Sequence, residues 1–129
     1  MNLVIALDGE ELSIEFPDEG VTTSCAVSAV DDHYRLDAVP MLVEAASYGD
    51  VIEATVVSPT TLRFVRVVRP GGWHVLSYVL PRDWREAPAA VGVLDEAARQ
   101  GGHWEVAFGG VVVICLPPGC SWRPPDPLY

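Results

Sequence analysis

Tyr34-Arg35-Leu36-Asp37-Ala38-Val39-Pro40, followed after a short loop by Tyr48-Gly49-Asp50-Val51-Ile52-Glu53-Ala54, is the stretch on which the fold turns. Residues 34–39 read as a strand that Pro40 stops, because proline lacks an amide donor and restricts the residue before it. The polar turn Tyr48-Gly49-Asp50 then launches a second strand over 50–57. Its natural partner is Leu62-Arg63-Phe64-Val65-Arg66-Val67-Val68, within a strand over 61–69.

Working outward, Ser58-Pro59-Thr60 and Pro70-Gly71-Gly72 are turn signals separating strands at 50–57, 61–69 and 73–80. Connections this short imply an antiparallel meander. Upstream, 3–7 and 12–16 read as strands around the Asp8-Gly9-Glu10-Glu11 turn. A longer strand over 21–30 ends at Asp31-Asp32, across which 34–39 pairs back. Residues 41–47 are a loop or a single helical turn.

One strong helix is predicted, over 88–100. Pro88 suits a first turn, Ala90, Val93, Leu94 and Ala97 follow the spacing of one buried face, and Gly101 is a natural left-handed stop. Asp83 and Glu86 have capping-box spacing, but Pro88 would then fall inside the helix, so a separate turn is expected at 82–86. Strands over 103–108 and 110–116 follow, joined at Gly109-Gly110. Residues 117–129 hold five of the eleven prolines and read as an extended tail. The expected fold class is α+β: a mostly antiparallel sheet, as a meander or partly closed barrel, with one main helix packed on it. The expected organisation is a single domain over 1–118 and a Pro-rich tail over 119–129.

Composition narrows the function classes. The 129 residues carry 18 Asp and Glu against eight arginines and no lysine, a formal charge of −10. That imbalance disfavours nucleic acid and anionic membranes, both of which need cationic contacts, and it favours encounter with a basic protein. The longest apolar run, 111–116, is far short of the roughly 18 residues of a membrane span. The start has no basic leader region, so a cytoplasmic location is expected. Cys25 and Cys115 sit in strand-like runs and read as small buried hydrophobes. Cys115 and Cys120 have neither redox nor zinc spacing.

The pattern resembles the bacterial family known as domain of unknown function 4265. The resemblance is carried by Tyr34-Arg35-Leu36-Asp37 with Val39-Pro40, by Gly49-Asp50-Val51, by Phe64-x-Arg66-Val67-Val68, by the Gly71-Gly72 turn, and by Glu105 and the closing apolar strand. It spans about residues 21–118 and implies a fold; it implies no reaction. The family tends to place Asn and an aromatic around the proline, where this chain has Ala38 and Met41.

Few residues carry chemistry. Asp50, at a Gly-Asp strand start, is either a cap for turn amides or a site carboxylate. Arg66 is placed by alternation on the face of Leu62, Phe64 and Val68, where it needs a carboxylate partner such as Asp50 or Glu53, or an anionic ligand. His74 makes an acid–base pair with Asp50 only if the fold joins them. Trp84 and Trp122 are either exposed aromatics of an interface or caps folded onto the core. His33, His74 and His103 lack metal-ligand spacing, and no nucleophile elbow or phosphate loop is present. No cofactor, metal or catalytic residue is expected.

Three functional readings follow. The first is a non-enzymatic acidic protein-binding module, immunity- or antitoxin-like, that neutralises a basic partner. The second is a small-molecule-binding module or modest enzyme with a pocket around Asp50, Arg66 and His74. The third is a self-associating structural subunit.

Overall fold

A computed structural model describes residues 8–125, so the strand expected over 3–7 lies outside the described residues. The chain forms two compact units, Met1–Gly72 and Trp73–Tyr129.

The first unit contains β1 (Glu10–Phe16), β2 (Val21–Val30), β3 (His33–Leu36), β4 (Val51–Ser58) and β5 (Thr61–Arg69). Successive strands pair antiparallel. A parallel pair between Ser13–Glu15 of β1 and Thr61–Arg63 of β5 then closes the ladder on itself. Alternation along the strands turns Leu12, Ile14, Phe16, Cys25, Val27, Tyr34 and Leu36 into one buried core. The β2–β3 connection is the two-residue Asp31-Asp32 turn, with Asp31 at φ 54°, a conformation its short polar side chain tolerates.

β5 departs from simple alternation. Glu53 pairs with Arg66 but Ala54 pairs with Phe64, leaving Val65 as an extra residue on β5. This bulge resets the inward face from Leu62 and Phe64 to Val67. The expectation that Arg66 shares the face of Leu62 and Phe64 is thereby corrected: Arg66 points to solvent.

The second unit holds β6 (His74–Val79), α1 (Pro88–Arg99), β7 (His103–Ala107) and β8 (Val111–Leu116). Its sheet has the order β6-β8-β7, antiparallel throughout. The meander expected through 50–57, 61–69 and 73–80 therefore stops at β5, and β6 pairs with β8 instead. The reason is local at both ends. Gly71 is held against Gly49 at the end of β5. The unbroken apolar run of β8, with Val112 to Leu116 all buried, is suited to a central strand.

Helix α1 lays Ala90, Leu94 and Ala97 on Val112, Ile114 and Leu116. This bears out the α+β class, with mostly antiparallel sheets and, among the described residues, one α-helix, which lies on the three-stranded sheet. The turn before it is a separate 3-10 turn over Trp84–Glu86, and Gly101 at φ 80° ends the helix as read. Residues after Leu116 do not simply trail away: Cys120 and Trp122 pack on the helix–sheet core.

Candidate functional site

Asp50 is committed to backbone. Its Oδ2 accepts the Ser47 amide at 2.9 Å and its Oδ1 accepts the Gly71 amide at 2.8 Å. One carboxylate thus ties the loop before β4 to the end of β5, as the turn-capping reading anticipated. Arg66 donates from Nε to Glu53 Oε1 at 2.8 Å, with both side chains largely in water. The two residues meet backbone and Glu53 respectively, rather than each other.

His74 belongs to the second unit and is exposed at the start of β6. Trp84 is buried at 8 % exposure, edge-on to Trp104 with ring centroids 6.2 Å apart, and Arg85 lies 4.5 Å over its ring. Trp122 is half-buried on the same core. Both tryptophans thus pack on the helix–sheet core.

The Tyr34-Arg35-Leu36-Asp37 stretch has a physical explanation. Tyr34 and Leu36 face the core, while Arg35 and Asp37 meet on the outside at 2.7 Å. The Ser28 hydroxyl donates to the second Asp37 oxygen and accepts the Gly9 amide. Ser28 is only 5 % exposed, and this network links the start of β1 to β2 and to the residue just after β3. The hydrogen bond to Asp37 also raises the Arg35 pKa, holding it charged.

A second constellation was not anticipated. His103 Nε2 lies 2.6 Å from Glu105 Oε2, and His103 is the cross-strand neighbour of Cys115. Thiol, imidazole and carboxylate are the parts of a nucleophile, base and orienting group. The thiol is unsuited to that work. Burial, with a smaller push from the Glu105 charge, raises its pKa to about 12, and only the thiolate is a competent nucleophile.

Two results follow for the thiols. In native protein near neutral pH, mass spectrometry after alkylation is expected to find Cys120, which is half-buried, modified well before Cys25 and Cys115. An unfolded thiol ionises near about 8.5, so above that pH the unfolded chain releases a proton that folded Cys115 retains. The Cys115 contribution is then whole below about pH 8.5 and falls toward pH 12, by at most ~1.4 kcal/mol per pH unit. Cys115→Ala is expected to flatten that decline; Tyr34, whose pKa burial also raises, supplies what remains.

The first unit carries a cleft of about 300 Å³ beside Phe16 and Pro17, flanked by Glu15 and Arg63. A smaller hollow of about 80 Å³ adjoins it at the same two residues, bounded by Asp18, Glu19, Ala45 and Phe64. Phe16 and Phe64 lie 4.9 Å apart between centroids. Arg63 is 3.0 Å from Glu15. Among the described residues, no three His, Cys, Asp or Glu side chains are arranged to hold a metal ion, and no helix is long and apolar enough to cross a membrane.

Charge is unevenly divided. Twelve of the eighteen carboxylates lie in residues 1–72 with four arginines, whereas residues 73–129 carry six with four. Three of the four arginines in the first unit, Arg35, Arg63 and Arg66, are already paired with neighbouring carboxylates.

Comparison with known proteins adds two findings. The family model described as Domain of unknown function (DUF4265) matches residues 23–123. A crystal structure described as that of a hypothetical protein from Neisseria gonorrhoeae is similar with a TM-score of 0.57. It is 12 % identical over 89 % of this chain and 80 % of that one, a likeness of fold alone. No curated protein matches the chain.

Proposed function

The chain belongs to the DUF4265 family, whose description assigns no activity, and on that premise we propose that it is a non-enzymatic acidic module that binds a basic partner protein. The observation that carries this reading is the concentration of charge in the first unit. Asp8, Glu10, Glu11, Asp18, Asp31 and Asp32 are all exposed there. A field of one sign accelerates encounter with an oppositely charged partner and disfavours like-charged ones. Occupying and neutralising such a partner, as an immunity protein does, asks for surface and no catalytic group.

The engagement of Asp50 by two amides and of Arg66 by Glu53 favours this reading over a reactive pocket built on those residues. Capture from the native host at low salt tests it. The expected result is a basic protein, retained at about 50 mM salt and released as ionic strength shortens the screening length. Recovery of no protein, or of acidic proteins only, would overturn it.

A further inference from the structure

The β3–β4 connection is a long loop on a narrow base. Residues 37–48 contain neither strand nor helix, yet their two ends meet. The Leu36 amide donates to the Asp50 carbonyl at 2.9 Å, and the Gly49 amide donates to the Leu36 carbonyl at 2.9 Å. A surface loop whose ends are joined in this way is an Ω-loop, a form that frequently carries function. Its base is well fastened, because Asp50 also holds the Ser47 amide and the Asp37 amide donates to the Ala26 carbonyl at 2.8 Å.

The middle of the loop is fastened by a single side chain from another element. The Glu44 and Ala45 amides donate to the two oxygens of Glu19, at 2.9 and 3.1 Å. Glu44 and Ala45 are exposed, so water competes for both bonds. Glu19 itself stands on a stiff support. Pro17 opens the turn between β1 and β2, Gly20 closes it at φ 64°, and the Gly20 amide donates to the Pro17 carbonyl at 3.2 Å. The loop is the softer partner. Raising it breaks two surface hydrogen bonds and uncovers Ala46 and the half-buried Val43, while the ladder at its base stays made.

The loop also covers something. Ala45 and Glu19 border the hollow of about 80 Å³ whose other boundaries include Phe16 and Phe64. With the loop down, that volume is well below the roughly 300 Å³ at which ligand pockets begin. With it raised, the hollow lies open along its Ala45 side.

We propose that Glu19 is a latch that holds the middle of the β3–β4 loop shut, and that the loop opens by itself, uncovering the hollow beside Phe64 while the strands remain paired. The device is independent of the basic-partner reading.

Amide hydrogen exchange of the 15N-labelled full chain tests it. In the parent, Glu44 and Ala45 are expected to exchange at least about a hundredfold faster than Ile52 and Val67, since local opening is easier than unfolding the unit. Their rates should ignore low urea, because a small opening exposes little surface. Glu19→Ala removes both acceptors and is expected to speed those two amides about tenfold further, the scale of a lost charge-assisted bond. Ile52 and Val67 should stay within about a factor of two, and Glu19→Gln, which keeps one carbonyl oxygen, should fall between parent and alanine. Nile red, a neutral apolar dye, is expected to bind Glu19→Ala at least about threefold more tightly than the parent. Exchange of Glu44 and Ala45 in step with Ile52 and Val67 would overturn the latch, because the loop would then open only with the whole unit. Rates untouched by Glu19→Ala, or equal acceleration of all four amides, would overturn it as well. Equal dye binding would contradict the loop's role as a cover.

Discussion

Gly71→Ala is expected to destabilise the first unit by about 3 kcal/mol, near the upper end of what a single added methyl costs in a tight site. A Cβ on Gly71 would lie 2.5 Å from the Gly49 carbonyl carbon and 2.6 Å from its oxygen. Both are backbone atoms, so no rotamer change relieves the overlap. Gly49 is itself fixed at φ 84° in the turn that starts β4. The methyl must therefore drive apart the end of β5 and the loop that β4 grows from. Amide hydrogen exchange at Ile52 and Val67 is the direct readout. All four tryptophans lie in residues 73–129, so tryptophan emission reports on the other unit. Exchange rates within a factor of two of the parent would show that the Gly49–Gly71 contact is looser than described.

Asp50→Ala is expected to cost about 2–3 kcal/mol, the usual scale for removing charge-assisted bonds from part-buried amides. The Ser47 and Gly71 amides both lose their acceptor. Asp50→Asn keeps one carbonyl oxygen and is expected to lose about half as much, since a single acceptor can serve one amide well. The pair of variants separates a capping role from a chemical one. If Asp50 is a cap, urea midpoints fall in the order parent, asparagine, alanine, while folded Asp50→Asn still captures the partner at the parent level. Loss of capture by a fully folded Asp50→Asn protein would mean that the carboxylate touches the partner.

Much of the architecture was legible because local rules dominate it. The Ser58-Pro59-Thr60 turn and Gly101 end their elements for reasons that need no tertiary information, whereas β3 stops at Leu36, short of the 34–39 strand that Pro40 was expected to end. The apolar spacing of Ala90, Leu94 and Ala97 identifies the helix and its buried face. The resemblance read from 34–40, 49–51 and 64–68 is shown by the family match.

What stayed hidden depends on pairing. Val67 and Val68 are both apolar, so alternation could not reveal the bulge that turns Arg66 outward. Nothing in the 73–80 run says that its partner is β8 and not β5. The Ser28–Asp37–Gly9 network joins residues far apart in sequence. His103 and Glu105 were different. Two positions apart on one strand, they had to share a face, and that spacing was a usable signal.

The most direct measurement of the central claim is the affinity of the purified chain for its captured basic partner as a function of salt. With residues 1–72 carrying twelve carboxylates against four arginines, the account expects Kd to weaken at least about tenfold between 50 and 300 mM salt, as exposed charges become screened. An affinity that ignores salt, or a partner that carries no excess of positive charge, would contradict it.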